Sequence, residues 1–255
     1  MRTFVMGDIH GAWKALVQCL DRAGFDRGTD ELIQLGDVAD GHDDVYRCVE
    51  ELLDIKNLIA IKGNHDDWFA EYIQTGIHPD QWLQGGAATA RSYLRENGKE
   101  DAITHNHDGY ITGLNPADIP EHHQTFFKRQ HLYYIDTLNN CFVHAGFDRR
   151  QLFKGQSPDI YLWDRRLWKS ALSFNATQRS VVNAVFKMET PFKEVFIGHT
   201  STTNWNTDKP MHAANVWNLD TGAGHDGRLT IMDITTKEFW QTDKVADLYP
   251  LRPKN

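Results

Sequence analysis

The chain has 255 residues, 40% of them hydrophobic, so it can bury a substantial core, and we predict one domain over residues 1–255. Its formal net charge is -8 and its Lys and Arg residues are scattered, which argues against a surface for duplex nucleic acid. No apolar run is long enough to span a membrane and no signal peptide precedes the first predicted strand, so we expect a cytoplasmic protein without a membrane partner.

Residues 3–61 predict a βαβαβ unit. Strands are expected at residues 3–6, 32–35 and 58–61, and apolar residues at helical spacing predict helices over 15–23 and 45–53. Short strands separated by single amphipathic helices imply a parallel sheet with right-handed crossovers. The three cysteines, Cys19, Cys48 and Cys141, are expected to be buried free thiols in a reducing compartment.

A polar motif bounded by glycine follows each of these strands. The motifs are Gly7-Asp8-Ile9-His10-Gly11, Gly36-Asp37-Val38-Ala39-Asp40-Gly41 and Gly63-Asn64-His65-Asp66. Asp8 and His10 lie at i and i+2, so on an extended backbone both side chains leave the same face and can bind one divalent cation. Because the carboxyl ends of parallel strands meet at one sheet edge, we expect the three motifs to converge there.

Residues 68–130 predict a mostly helical insertion that lies beside this edge as a cap. Its aromatic residues favour an internal core of the insertion over a base-stacking platform; they are Trp68, Phe69, Tyr72, Trp82 and Tyr93. His105 and His107 have the spacing of ligands, but their polar surroundings favour a solvated loop. His122 and His123 are expected to lie on the face of a helix.

Strands return at residues 132–135, 141–143 and 195–197, and the last two run into His144 and His199. Between them, Asn175 predicts the N-cap of a helix that continues through residue 186. From residue 215 onward the pattern predicts antiparallel strands joined by Gly-rich turns.

Five predicted strands thus end in potential metal ligands, which are Asp8 with His10, Asp37, Asn64, His144 and His199. This mixture of oxygen and nitrogen suits Mn, Fe, Zn or Co and is too large for one ion, so we expect two metals that share Asp37. Taken singly, Asp8 is more typical of a helix cap, and the aspartates of the second motif are typical of a turn. Capping does not account for three histidines at strand ends, so the complete set favours metal binding.

With these motifs the sequence resembles the calcineurin-like metallophosphoesterases. Within that superfamily it resembles the phosphoprotein phosphatase branch, which also holds symmetrical diadenosine tetraphosphatases and compact bacterial and bacteriophage protein phosphatases. The resemblance rests on D-x-H at residues 8–10, G-D-x-x-D-G at 36–41, G-N-H-D at 63–66, V-H-A-G at 143–146 and G-H-T at 198–200. It implies an α/β fold in which two mixed β-sheets form a sandwich flanked by helices.

The resemblance also implies roles for individual residues. The first metal would be held by Asp8, His10 and Asp37, and the second by Asp37, Asn64, His144 and His199. The metals would be two divalent ions, Mn²⁺ first, with Fe, Zn, Ni or Co as alternatives. The catalytic residues would be His65 as general acid, Asp40 as the group that orients it, and Arg165, which would bind substrate together with Asn64.

Phosphoester hydrolysis needs such groups on chemical grounds as well. Two cations roughly 3.5 to 4 Å apart bind phosphate oxygens and acidify a bridging water to a hydroxide that attacks phosphorus in line. The leaving oxygen then needs a proton, which His65 can supply if a carboxylate such as Asp40 fixes its tautomer and raises its pKa.

Two positions depart from the family pattern. Gly41 stands where many members carry a phosphate-binding arginine, so one phosphate clamp is missing or is supplied from elsewhere. Asp66 stands where eukaryotic protein phosphatases usually have Glu. For the family's other phosphate-binding arginine, Arg165 is preferred over Arg166, since planar, bidentate arginine suits phosphate.

We therefore expect a metal-dependent phosphoesterase whose partner is a phosphorylated protein or peptide, or a small phosphoester, and whose first assignment is a Ser/Thr protein phosphatase. A symmetrical dinucleoside polyphosphate hydrolase is the alternative, and it needs a base pocket that the aromatic residues of the insertion would wall. A non-catalytic scaffold of the same fold is the third, although a scaffold has no reason to retain His65 and Asp40 with the ligand set.

Overall fold

Two mixed β-sheets with helices outside them form the framework of the chain, and the computed structural model describes residues 1–107, 109–180 and 188–250. The strands are β1 (Thr3–Met6), β2 (Glu31–Gln34), β3 (Asn57–Ala60), β4 (Ile103–Asn106), β5 (Gly109–Thr112), β6 (Tyr133–Ile135), β7 (Cys141–Val143), β8 (Val195–Ile197), β9 (Met211–Ala213), β10 (Val216–Asn218), β11 (Thr230–Asp233) and β12 (Phe239–Gln241). The helices are α1 (Trp13–Arg22), α2 (Val45–Leu53), α3 (Asn64–Thr75), α4 (Gly86–Glu96), α5 (Glu121–Arg129), α6 (Pro158–Trp163), α7 (Arg166–Ser180) and α8 (Val245–Leu248). Within the described ranges, no helix combines the length and apolar character that crossing a lipid bilayer requires.

The first sheet has the strand order β12-β11-β1-β2-β3. Strands β1, β2 and β3 are parallel, which confirms the predicted βαβαβ unit, with Val5 paired to Ile33 and Ile33 to Ile59. Strand β11 runs antiparallel to β1 and β12, as predicted for the end of the chain. The three carboxyl ends that carry the motifs therefore lie side by side.

The second sheet has the order β6-β7-β8-β10-β9 and differs from the prediction in two places. Strand β10 is parallel to β8, although antiparallel strands were expected from residue 215 onward, and β9 was not predicted at all. Asn175 lies inside α7 and is not its N-cap; its side-chain oxygen accepts a hydrogen bond from Ala214 N at 2.8 Å, so it joins the helix to the β9–β10 turn. The predicted continuation of that helix through residues 181–186 lies outside the described residues.

The alternation of side chains along the strands explains how the sheets pack. In β1 and β2, Val5 and Ile33 point into a layer between the sheets, while their neighbours pack against helices. In β7 and β8, Phe142 and Phe196 enter the same layer and stack with ring centroids 4.9 Å apart. Because successive strand residues face opposite sides, each strand serves both the inter-sheet layer and a helix-covered face. The resulting sandwich flanked by helices is the predicted fold class.

The segment 68–130 is mostly helical, as expected, but it also contains a pair of strands where a polar loop was expected. It contains α4, α5 and most of α3, but also the hairpin β4–β5, so His105 lies on a strand, not in a solvated loop. Ile103 and His105 belong to β4, which pairs with β5. The hydrogen bonds between the two strands satisfy backbone N–H and C=O groups that a loop would leave to water. The predicted aromatic core is confirmed, since all five aromatic residues are buried.

The three cysteines are free and fully buried, as predicted. Burial raises the pKa of each thiol above its ordinary value, so the reactive thiolate is scarce at neutral pH. We expect the folded protein not to react with Ellman's reagent, and the protein unfolded in guanidinium to release three thiols per chain. A thiol that reacts in the folded protein at the rate of free cysteine would contradict this burial.

Candidate metal centre

The predicted ligands of the second metal come together where the two sheets meet. Asn64 Oδ1 lies 3.1 Å from His144 Nε2 and 3.0 Å from His199 Nδ1. His144 Nε2 also lies 3.4 Å from Asp37 Oδ2. The sequence brings these four residues from two sheets to one point because each follows the carboxyl end of a strand, β2, β3, β7 or β8.

Asp37 connects this group with the predicted ligands of the first metal. Its Oδ2 atom lies 3.7 Å from His10 Nε2, so one carboxylate oxygen faces the imidazoles of both predicted groups. Asp8, a predicted ligand of the first metal, contacts His199, a predicted ligand of the second. Its Oδ2 accepts a hydrogen bond from the backbone N–H of His199 at 2.9 Å. The structure thus assembles all six predicted metal ligands in one cluster.

The cluster fits divalent cations on its own chemistry. Asp8 Oδ1 and His199 Nε2 are buried without a hydrogen-bond partner among the described residues, a costly state for polar atoms. Burial lowers the pKa of His10 to about 3 and that of His199 to about 2, so both imidazoles are neutral and keep a lone pair for a metal. Asp37, His144 and His199 each place a ligand atom within 4.8 Å of the others.

Four residues of the motifs adopt a left-handed backbone conformation that directs their side chains toward the cluster. His10, Asp37, Asp40 and His199 have φ between 49° and 71°, the left-handed region that side chains other than glycine rarely adopt. The neighbouring backbone must approach closely, and a Cβ on Gly198 would lie 2.0 Å from Asp8 Oδ1. The glycines of the motifs therefore leave room for the carboxylates.

His65 and Asp40 form a hydrogen-bonded pair beside the cluster. His65 Nδ1 lies 2.7 Å from Asp40 Oδ2, and Asp40 Oδ1 accepts hydrogen bonds from Trp82 Nε1 at 3.0 Å and Thr89 Oγ1 at 2.6 Å. Burial acts to lower the pKa of His65, but the carboxylates of Asp37 and Asp40 outweigh it, and the pKa is raised. Burial raises the pKa of Asp40 despite its three hydrogen bonds.

His65 has two roles open to it, general acid and metal ligand. It lies in the first turn of α3, where its backbone N–H donates to Asp37 Oδ1 at 3.0 Å. Its ring, His10 and Asp37 also place one ligand atom each within 4.8 Å of one another. Because Nδ1 faces Asp40, only Nε2 remains for either role.

Asp66, which the sequence marked only as a departure, holds two of the motifs together. Its Oδ1 accepts hydrogen bonds from Val38 N and Ala39 N, both at 2.9 Å. Its Oδ2 accepts from Gly63 N at 3.1 Å and Gln130 Nε2 at 2.8 Å. This carboxylate therefore fixes the loop that carries Asp37 and Asp40.

Asp220 is a site residue that the sequence analysis missed. It is buried beside the cluster, and burial together with the Asp37 carboxylate raises its pKa to about 6. It follows β10 and is followed two residues later by Gly222, so it too is an acidic residue between a strand end and a glycine, although no glycine precedes it as in the first two motifs. That signal was present, but the segment was taken for a Gly-rich turn.

A cavity of about 850 Å³ opens over the cluster. Its walls include the cations Arg165 and Lys169 and the indole rings of Trp163 and Trp205. Arg165 forms no ion pair within the described part of the chain, whereas the neighbouring Arg166 is bound to Asp164 at 2.9 Å. Of the two arginines weighed from the sequence, Arg165 is the one that lines the cavity.

Gly41 also borders this cavity, at the position where an arginine was expected from the family pattern. Its φ is +81°, and an added Cβ would lie 2.9 Å from the Cβ of His10. A side chain at position 41 is therefore incompatible with this backbone, and no arginine can replace the glycine without moving the loop.

Comparisons with known proteins agree on the kind of site. The family profile described as calcineurin-like phosphoesterase matches residues 1–200. The chain is 31% identical over 242 residues to serine/threonine-protein phosphatase 1 of Salmonella typhimurium, covering 91% of each. It is 36% identical to the symmetrical bis(5'-nucleosyl)-tetraphosphatase of Haemophilus ducreyi, but only over 67 residues, 26% of this chain and 25% of that protein. A crystal structure described provisionally as a diadenosine tetraphosphatase superposes with a TM-score of 0.63 at 15% identity, covering 94% of this chain and 92% of that one, which shows a shared fold.

Proposed function

We propose a substrate for this chain from the premise that it belongs to the calcineurin-like phosphoesterase family and is a dimetal phosphoesterase. The proposed reaction is hydrolysis of phosphate monoesters on serine or threonine side chains of proteins. The observation that carries it is the cavity of about 850 Å³ over the cluster, which is lined by Arg165, a cation with no ion pair among the described residues. The full-length similarity to the Salmonella protein phosphatase supports the same assignment.

We propose that the six clustered residues hold two divalent ions, with Mn²⁺ as the first choice. One ion would be bound by Asp8, His10 and Asp37, and the other by Asp37, Asn64, His144 and His199. When bound, such ions bind phosphate oxygens and acidify water, so that a nucleophile is available near neutral pH. Asn64 is also proposed to contact the substrate, since its side chain lies at the edge of the cavity.

The proposed proton donor to the leaving oxygen is His65 Nε2. Asp40 accepts from Nδ1–H, which places the transferable proton on the other ring nitrogen when the imidazole is protonated. Trp82 and Thr89 hold the Asp40 carboxylate in place, so the imidazole keeps one orientation toward the cavity. Arg165 is proposed to bind phosphate oxygens with its planar guanidinium.

We also propose that residues 1–255 act as one domain, with 68–130 as a cap-like insertion. The aromatic core of the insertion is continuous with the side chains that α1 and α2 pack on the first sheet. Trp82 and Thr89 of this segment bind Asp40 directly. These contacts support a role of the insertion in holding the catalytic pair.

The test is phosphate release by metal-stripped protein supplied with Mn²⁺, comparing a phosphoserine or phosphothreonine peptide with diadenosine tetraphosphate under one set of conditions. We expect a higher kcat/KM for the peptide, with Asp37→Asn protein as the blank. Faster hydrolysis of the dinucleotide would overturn the proposed substrate and leave the phosphoesterase assignment intact.

A dinucleoside polyphosphate is the second candidate substrate, because two tryptophan side chains in the cavity wall could stack on its bases. Trp163 and Trp205 line the cavity, and an exposed indole can stack on a base. The base pocket that the sequence predicted from the insertion is not available, since those aromatic residues are buried in the core. The candidate therefore depends on these two tryptophans, and Trp163→Ala should weaken dinucleotide binding more than peptide binding.

Arg165→Ala is expected to raise KM for phosphate esters about 10-fold or more with a smaller change in kcat. A hydrogen bond between charged groups is worth roughly 1.5–3 kcal/mol, and 1.4 kcal/mol corresponds to tenfold in affinity. Arg166→Ala is the matched control, because Arg166 is bound to Asp164 and mostly exposed. A larger rise in KM for the control than for Arg165→Ala would exchange the two assignments.

A further inference from the structure

A second cluster of ligand-type side chains lies between α2 and α5, and the proposed phosphatase chemistry does not use it. Glu50 Oε1, on α2, lies 2.8 Å from His122 Nε2 and 2.8 Å from His123 Nε2, both at the start of α5. The two imidazole rings are nearly perpendicular, with centroids 4.5 Å apart. Two neighbouring histidines of one helix thus direct the same ring nitrogen at one carboxylate oxygen.

The three side chains differ in freedom in a way that suits a binding site. The His123 side chain is fully buried and is held from behind by Tyr93, whose hydroxyl lies 2.9 Å from His123 Nδ1. The side chains of His122 and Glu50 are 54% and 46% exposed, so water and ions reach the cluster from one side. His123 therefore offers a fixed ligand atom, and the exposed side chains of His122 and Glu50 can move to the distances that a bound ion requires.

The distances are close to those that a metal ion requires. Zinc binds imidazole nitrogen and carboxylate oxygen at about 2.0–2.2 Å, which separates neighbouring tetrahedral ligands by roughly 3.3 Å. The present separations of 2.8 Å need to open by only about half an ångström.

We propose that Glu50, His122 and His123 form a third metal site, for a zinc-class divalent cation with water in the remaining position. Two imidazole nitrogens and one carboxylate oxygen are a donor set that zinc takes in proteins. When the ion binds through Nε2, the single proton of each neutral imidazole is carried on Nδ1 instead of pointing at Glu50, and this exchange between ring nitrogens runs through solvent without net proton release. The Tyr93 hydroxyl then accepts the Nδ1–H of His123, the kind of outer hydrogen bond that orients a ligating imidazole.

The site would join the insertion to the first sheet. Helix α5 closes the insertion, while α2 covers the first sheet and follows the loop that carries Asp40. An ion bound by residues of both helices stabilises the folded chain by an amount that rises with the logarithm of the ion concentration above its Kd, because the unfolded chain does not hold the three ligands together. This function is structural and does not depend on the substrate of the phosphoesterase.

The test counts zinc bound per chain after equilibrium dialysis against zinc alone, in the unchanged protein of residues 1–255 and in three variants. The candidate centre also binds zinc, so the difference between proteins is the measurement. We expect His122→Ala and Glu50→Gln to hold one zinc fewer per chain than the unchanged protein and to lose part of the rise in Tm that zinc produces. His105→Ala, which removes another exposed histidine outside both clusters, should keep the full count.

The Glu50→Gln variant separates a metal site from a hydrogen-bonded contact. Glutamine still offers an oxygen to both imidazoles but is a much poorer zinc ligand than a carboxylate. Phosphatase activity with Mn²⁺ checks that each variant is folded. Equal zinc counts in the unchanged protein and in His122→Ala would overturn the third site without affecting the proposed function.

Discussion

Asp37→Asn protein is expected to hydrolyse phosphate esters at least about 10³-fold more slowly than the unchanged chain and to bind less metal. Asp37 Oδ2 faces both His10 and His144, so this carboxylate is placed to bridge two ions. An amide is a neutral and weaker ligand, and losing several kcal/mol of metal-derived stabilisation corresponds to a factor of this size. Activity with saturating Mn²⁺ and metal content after dialysis measure the two effects.

Asp21→Asn is the control for this substitution, because Asp21 is an exposed carboxylate on α1. Circular dichroism should show both variants folded. Normal turnover and normal metal content in Asp37→Asn protein would remove Asp37 from the metal site and with it the proposed sharing of one carboxylate.

His65→Asn is expected to keep its metals and to lose about 10²–10⁴-fold in kcat for substrates with poor leaving groups. Alkyl phosphates such as phosphoserine need a proton on the departing oxygen, whereas p-nitrophenolate leaves without one. The ratio of the two rates therefore isolates proton donation from metal binding. Loss of metal together with equal losses on both substrates would make His65 a ligand.

Asp40→Asn tests the partner in the same assay. It removes the carboxylate that now accepts from His65 Nδ1 at 2.7 Å but leaves the imidazole in place. We expect the same dependence on the leaving group with a smaller loss, since Asp40 acts through His65 and does not touch the substrate. A substrate-independent loss would assign Asp40 a structural role in the loop.

The sequence could predict the site wherever a buried strand ended in a short polar motif. Asp8, Asp37, Asn64, His144 and His199 all followed that rule, because the parallel strands of each sheet bring their carboxyl ends to the place where the two sheets meet. The roles of residues without such a local pattern could not be predicted from the sequence. Asp66 acts through hydrogen bonds to backbone groups about 28 residues away, and only the folded chain reveals those contacts.

The errors in the fold have a common physical origin. Strand β9 and the hairpin β4–β5 are three or four residues long, too short for alternation to stand out from loop sequence. Asn175 has the composition of a helix cap, yet its hydrogen bond to Ala214 is made across 39 residues inside a continuing helix. In each case the structure depends on a pairing partner, the facing strand of a hairpin or Ala214, that the residue pattern of the segment itself does not reveal.

The position of β1 between β2 and β11 bears on how the chain folds during its synthesis. The ribosome releases Met6 before its partner strand, which begins 224 positions later at Thr230 (230 minus 6). At about 5–20 residues per second, one edge of β1 waits roughly 10–45 s for that partner. A nascent chain with this topology carries an open, apolar strand edge throughout, and chaperone binding to that edge is expected to decide the yield of folded enzyme.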